Sequence, residues 1–395
     1  MTAAAAMRAP STHDRAAEHE LLLACARLTL AADEAARVRE MAAGAVDWTR
    51  VFDLARRHRL VPFLHRHLRD APLPPAAAVE LRALNRDAVH RGLVMAAELR
   101  RLVDALAAAG IEALAYKGPA LAMQVYGDLS LRTFIDLDLL VREGDVPRAL
   151  EALDEAGYAP ALALSPAQAR HFGRVDGDFP LLHRATGTLV ELHARVSSER
   201  FCMPIDTDGL MRRARAVPVG GGTVRTLGDE DLLLVLCVHG AKHRWKRLEW
   251  LAALAALLRA GRGDAEATLA LAAGAHARRT VLLGLALARR LLGAPLPEAV
   301  ARAIEEDRRL PRLLAEAEGR MFDEEAGEET AANLAFNLRA RDSAMDRARF
   351  AARWLFAPSP EDWRWARLPD ALFPLYRVLR PVRLLQRHGR RSGGR

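Results

Sequence analysis

The sequence predicts an α+β protein in which a small mixed sheet sits between helical N- and C-terminal regions. Two changes of period carry that expectation. Residues 15–110 repeat their apolar side chains at the three-and-four spacing of amphipathic helices. At Gly110 this gives way to short apolar runs broken by Gly, Pro and Asp, and from Gly228 the helical period returns. The expected divisions are 1–109 helical, 110–227 α/β, 228–380 helical, and 381–395 a basic, disordered tail.

In the first region the spacing predicts helices over 16–32, 33–42, 48–58, 61–70 and 76–109, punctuated by Pro72, Pro74 and Pro75 and by a start at Asp47-Trp48. No chemistry is expected there. His58, His65, His67 and His90 are separated by arginines and lack ligand spacing, which makes them surface or capping residues.

The middle region opens with a strand over 111–116. Lys117-Gly118-Pro119 then turns into a helix over 120–126, Gly118 suiting a tight turn and Pro119 the first helical position. A helix amino end just after a lysine is a natural anion site. A loop over 127–133 leads to a strand over 134–141, then a helix over 145–156, a strand over 157–164 and a helix from 165 to about 173. Residues 179–183 and 188–196 flank Ala185-Thr186-Gly187 as a hairpin. Gly220-Gly221-Gly222 reads as a turn between short strands, because it lacks the strand-to-helix setting of a phosphate loop. Beyond it the spacing predicts helix over 229–260 (one or two), 264–292, 297–321 and 328–356, and a last piece after Pro358.

Composition narrows the function classes. A chain of 395 residues, 51% hydrophobic and 27% charged, has the size for two or three compact units. Cys25, Cys202 and Cys237 are scattered with no CxxC pair, which argues against a disulfide framework or a cysteine zinc site and fits a reducing cytoplasm. No leader pattern opens the chain, and no apolar run reaches the roughly 18 residues of a membrane span. The net charge of +8 allows nucleic acid as a partner. Most arginines are balanced locally by acids, however, and no aromatic-interleaved basic motif appears. Only 377–395 is a basic run of consequence, read as a solvated tail or as a contact for an anionic polymer or acidic partner.

The strand over 134–141 is anomalous. Side chains alternate along a strand, so Asp136 and Asp138 share a face with Phe134 and Leu140, and Ile135, Leu137, Leu139 and Val141 form a wholly apolar one. Two like charges that close are costly unless a cation lies between them. Glu191, which shares a face with Leu189 and His193 on a neighbouring strand, is the best third carboxylate. Three carboxylates suit magnesium, which prefers oxygen ligands and leaves positions for phosphate oxygens. The other reading has the aspartates capping loops or pairing with arginines.

Lysine is rare. Of 58 Lys and Arg, only Lys117, Lys242 and Lys246 are lysine, and a compact ammonium commonly faces phosphate oxygens. His239, Lys242, His243 and Lys246 fall at i, i+3, i+4 and i+7, one stripe of a helix. The histidine pair lacks the glutamate base and third ligand of a zinc site. The stripe reads either as a cleft wall touching a triphosphate or as a structural helix. Arg132 is placed to meet phosphate or to pair with Asp128, and His193 to orient Glu191.

Lys117-Gly118-Pro119-Ala120-Leu121-Ala122, Tyr126-Gly127-Asp128, Arg132 and Asp136-Leu137-Asp138-Leu139-Leu140-Val141 together resemble an uncharacterised bacterial nucleotidyltransferase-like family. That family is a branch of the DNA polymerase beta-type nucleotidyltransferase superfamily. Leu189-Val190-Glu191-Leu192-His193 and the run from His239 to Trp250 resemble its later strand and its helical signature, and the similarity extends over 354–384. The resemblance implies two magnesium ions (manganese as a substitute) on Asp136 and Asp138, with Glu191 joining one and accepting the acceptor's proton. It also implies a nucleoside triphosphate such as ATP as partner, with Gly118 letting the backbone approach it; Lys117, Arg132, His239, Lys242, His243 and Lys246 are placed on the nucleotide side by their residue types and spacing. The family often carries an acid shortly after the second tryptophan, whereas Trp250 is followed by Leu-Ala-Ala-Leu. The expected activity is magnesium-dependent transfer of a nucleoside monophosphate to an unidentified acceptor, a small molecule, peptide, protein or RNA, with release of pyrophosphate. Kinase-like transfer of the γ-phosphoryl group and a non-catalytic nucleotide-binding module are the alternatives.

Overall fold

A computed structural model describes residues 17–323 and 330–392. Helix starts expected at 16 and 328, the opening segment, and the last residues of the basic tail, 393–395, lie outside the described residues.

Five strands form one mixed sheet: β1 (Leu114–Ala115), β2 (Asp136–Leu140), β3 (Tyr158–Pro160), β4 (Asp178–His183) and β5 (Leu189–His193). Their order is β1-β2-β5-β4-β3. β2 and β5 run parallel in the centre, and the other pairings are antiparallel. The expected hairpin is β4–β5, and a second hairpin pairs β6 (Arg215–Val219) with β7 (Gly222–Thr226) around Gly220-Gly221. The chain is therefore α+β, a small mixed sheet flanked by helices.

Each sheet face is covered, which sets how the strands read. Leu137, Leu139, Val141, Val190 and Leu192 pack against Met95, Leu99, Leu102 and Leu106 of the long helix Pro75–Ala108 and against Ala149 and Leu153 of the helix Val146–Glu155. On the opposite side, Leu114, Tyr116 and Leu140 join a larger core built from helices of both flanking regions, among them Asp229–Lys242, Leu248–Arg259 and Arg278–Leu292. Ile135 departs from expectation. It precedes the start of β2 and is 52% exposed, so the apolar face begins at Leu137.

Several long helical periods are interrupted. The expected 264–292 segment is two helices, Ala265–Gly274 and Arg278–Leu292, separated where His276 adopts a left-handed φ of 52°. The 297–321 segment divides into Glu298–Glu306 and Leu310–Phe322. The 328–356 segment divides into Thr330–Arg339 and Ala344–Phe356, the latter opened by Ser343 and Asp346 in a capping box. The basic segment at 381–395, expected to be disordered, continues the helix Tyr376–Ser392 as far as residue 392.

Candidate metal and nucleotide site

β2 and β5 pair in parallel with Asp138 opposite Glu191 and Leu140 opposite His193. β4 then sets Asp178 opposite His193. Paired residues point to the same face, so Asp136, Asp138, Glu191, His193 and Asp178 all belong to one side of the sheet. No stretch of fifteen residues contains them all; register collects them.

Asp138 is the buried centre of this group. Lys117, at the amino end of the helix Gly118–Tyr126, donates to its Oδ1 at 2.6 Å. His193 Nε2 lies 3.1 Å from the same oxygen and 3.5 Å from Glu191 Oε2. Asp138 Oδ2 is buried with no hydrogen-bond partner among the described residues. Asp138, Glu191 and His193 each offer a potential ligand atom, all within 4.8 Å of one another. Asp136 lines the same cavity but stands outside that set. The structure thus brings Asp138 and Glu191 together as expected from sequence, and adds His193 where Asp136 was expected.

The protonation states follow from this packing. Burial, then the neighbouring Asp138, pushes Asp136 up to about 6. Burial opposes ionisation of Asp138 as well, but the Lys117 ammonium and His193 hold its carboxyl well below the usual range. Hydrogen bonding from His193 lowers Glu191 against the effect of burial. His193 is raised, because the two carboxylates outweigh its burial. Lys117 is likewise kept charged by Asp138 despite burial. Asp178 is raised by burial, and its Oδ1 has no hydrogen-bond partner among the described residues.

Gly118 takes a left-handed φ of 54°, and a Cβ there would lie 3.4 Å from the Asp136 carbonyl oxygen. A side chain at this turn would be strained and would press on β2. The requirement for glycine holds the amino end of this helix against the aspartate strand.

The second wall comes from the C-terminal region. The helix Asp229–Lys242 stops at Lys242, His243 caps it, and Arg244 and Trp245 turn back with φ of 53° and 55° before the helix Leu248–Arg259. The stripe of His239, Lys242, His243 and Lys246 is therefore not one helical face, which corrects the reading from spacing. The reversal is set by Trp245, which is fully buried. A Cβ on Gly240 would come within 2.5 Å of its ring. All four residues nevertheless line the same cavity as Lys117, Gly118 and Asp136. The rings of His239 and His243 lie 4.8 Å apart and both contact Trp250. Burial drives His239 well below its ordinary range and His243 to about 3, so both are neutral at pH 7.

Arg132 is buried and does not pair with Asp128, whose carboxylate instead accepts from the Ser130 N–H at 2.8 Å. Its guanidinium lies 3.6 Å from Glu249, and Arg59 and Arg247 approach the same carboxylate at 3.4 and 3.9 Å. Glu249 is the acid immediately before Trp250, on the near side of the tryptophan rather than beyond it. Three guanidiniums around one carboxylate leave a net positive corner in the cavity.

The cavity itself is about 290 Å³. It has carboxylates from the sheet on one side, and Lys117, Lys242, Lys246, Arg59, Arg132 and Arg247 around the rest. Sequence reasoning missed Arg59, Glu249 and Asp178. Arg59 comes from the region where no chemistry was expected, and its left-handed φ of 56° at the end of the helix Trp48–His58 breaks the helical period. Asp178 lies one residue before the expected start of its strand; extending that strand by one residue would have set it opposite His193.

The uncharacterised nucleotidyltransferase model matches residues 44–293, a span that includes the whole sheet, both walls of the cavity and Arg59. The chain belongs to this family. The match ends before 354–384, where the sequence resemblance had been extended. No curated protein and no solved structure matches the chain. Membership of a nucleotidyltransferase family makes a nucleotide the substrate class and transfer the reaction class. Among the described residues no helix is long and apolar enough to cross a membrane.

The donor set fits a hard divalent cation. Asp138 offers an unpartnered buried oxygen, Glu191 a carboxylate grouped with it, and Asp136 a carboxylate on the same cavity, while His193 orients Asp138 and Glu191. Oxygen-rich sets of this kind suit magnesium or manganese.

Proposed function

We propose that the cavity holds a magnesium–nucleoside triphosphate and that the protein transfers the nucleoside monophosphate to an acceptor hydroxyl. The observation that carries this is the grouping of the buried Asp138, with its unpartnered oxygen, with Glu191 and His193, which line a cavity that is also lined by lysines and arginines. Carboxylates alone suit a metal and cations alone suit an anion; the two together suit a metal-bound polyphosphate.

Asp136, Asp138 and Glu191 would hold the metal, with His193 fixing the Asp138 and Glu191 carboxylates. A divalent ion there would neutralise charge on the transferring phosphoryl group and lower the pKa of the acceptor hydroxyl. Lys117, Lys242, Lys246 and Arg132 bind and orient the phosphate oxygens, with Arg59 and Arg247 supporting that corner through Glu249. The neutral rings of His239 and His243, braced by Trp250, give the wall rigidity without adding charge. The acceptor oxygen attacks the α-phosphorus, the bond from that phosphorus to the α,β-bridging oxygen breaks, and pyrophosphate leaves with the electron pair.

The acceptor's proton passes to a carboxylate on the sheet. Resemblance points to Glu191, but hydrogen bonding from His193 lowers Glu191 and engages the carboxylate. Burial raises the Asp178 carboxyl above its ordinary range, and its Oδ1 has no hydrogen-bond partner among the described residues. We assign the proton to Asp178 and the metal to Glu191.

Product analysis tests the reading. With α-labelled triphosphate, magnesium and lysate, label should move to an acceptor that mass spectrometry identifies, with pyrophosphate released. Release of nucleoside diphosphate instead would make the reaction phosphoryl transfer.

A further inference from the structure

The helix Tyr376–Ser392 has two unlike faces. Its inner side is fixed to the body: Tyr376 and Leu384 are buried, and Arg380 and Arg383 reach the buried Asp362 at 2.7 and 2.5 Å. Its outer side carries Val378, Val382 and Leu385, and the preceding turn adds Leu372 and Leu375; these five are between 42% and 74% exposed. At 3.6 residues per turn, Val378, Val382 and Leu385 fall within about 60° of arc, so they form a continuous stripe. Phe356 and Trp365, ending the helices Ala344–Phe356 and Pro360–Trp365, are also exposed apolar side chains.

Charge along this segment has one sign. From residue 371 to 395 the sequence holds seven arginines and no acid. Asp370, the last acid before it, is engaged by Ser165 and the Ala167 N–H. We propose that this helix lies flat on an anionic lipid surface, with the valine–leucine stripe in the headgroup–acyl boundary and the net positive charge of the segment, to which the exposed Arg377 contributes while Arg380 and Arg383 stay on Asp362, drawing it to lipid phosphates.

The chemistry favours lipid over other occupants. A second copy packed stripe to stripe would bring two acid-free arginine segments together, at a repulsive cost. A nucleic acid would neutralise the arginines but would leave the stripe of Val378, Val382 and Leu385, which has no ring for a base to stack on, in water. An anionic bilayer satisfies both features, since in-plane amphipathic helices combine apolar burial with attraction between basic residues and acidic headgroups. This surface is separate from the cavity and does not depend on the reading of its chemistry.

The test is co-sedimentation of the full chain with two kinds of vesicle. One is phosphatidylcholine alone; the other contains about one phosphatidylglycerol in three lipids. Binding to the anionic vesicles should be about tenfold stronger at low salt and should weaken as salt rises. The triple substitution Val378→Ser, Val382→Ser and Leu385→Ser changes no charge. It should reduce binding about tenfold or more, with circular dichroism and magnesium–triphosphate binding unchanged. Absence of vesicle binding, or undiminished binding by the serine variant, would overturn the proposal. So would a wild-type chain that ignores vesicles but forms a dimer, or shifts RNA, in a manner the serine variant abolishes.

Discussion

Asp138 has one oxygen held by Lys117 and His193 and another, buried, with no hydrogen-bond partner among the described residues. That division keeps a carboxylate inside an apolar sheet ionised and leaves one oxygen for the proposed cation. Its neighbour Asp136 responds to the same crowding in the opposite direction, rising to about 6 through burial and the Asp138 charge. A metal ligand must be deprotonated, so below that pH binding displaces a proton. Magnesium affinity should therefore climb about tenfold per pH unit up to about 6 and flatten above it. Titration calorimetry across that range checks the slope; a flat profile would remove Asp136 from the ligand set. The two remaining carboxylates separate by role. Asp178→Asn should slow turnover by a factor of about 100 to 10,000, the usual size of a lost proton acceptor, with magnesium affinity unchanged. Glu191→Gln should weaken magnesium binding itself. An Asp178→Asn protein with full turnover would return the proton to Glu191. At this scale Asp136, Asp138 and Glu191 were legible because alternation along a strand is fixed by covalent geometry. Lys117's attachment to Asp138 was not, because it depends on where a turn lands against a strand.

Among the elements, the reversal at 243–247 shows the limit of periodicity. Spacing predicts one stripe through Lys246, and nothing in the helical period reveals that Arg244 and Trp245 leave it. The cause is tertiary: the Trp245 ring is buried against Gly240 and Gly284, positions where any side chain would collide with it. The two glycines in apolar helices were the available signal. Gly240→Ala places a methyl 2.5 Å from the ring. Overpacking of this kind costs about 1–3 kcal/mol, which denaturant unfolding would register. Because Lys242 and Lys246 flank the reversal, triphosphate affinity should fall in the same variant. The break before Ala344–Phe356, by contrast, was written locally in Ser343 and Asp346 as a capping box.

In the whole molecule, the cavity is where the sheet meets both helical regions. The helical–sheet–helical order was readable from the two changes of period. Which distant residues would meet was not, and Arg59 is the clearest case. It belongs to the region read as structural, yet it reaches Glu249 beside Arg132 and Arg247. The same turn is tied across the molecule by His58, whose buried Nδ1 accepts from the Leu248 N–H at 3.2 Å, so the expected capping role is real and spans the two helical regions. Arg59→Ala should lower triphosphate affinity about tenfold by thinning the positive corner, with little loss of fold stability.

The central claim, a metal–triphosphate centre on Asp136 and Asp138, is tested most directly by calorimetry with magnesium and a nucleoside triphosphate. The wild-type protein should bind the triphosphate in a magnesium-dependent manner, and the Asp136→Asn, Asp138→Asn double variant should not. Unchanged triphosphate binding by that folded variant, or binding indifferent to magnesium in the wild type, would contradict the account.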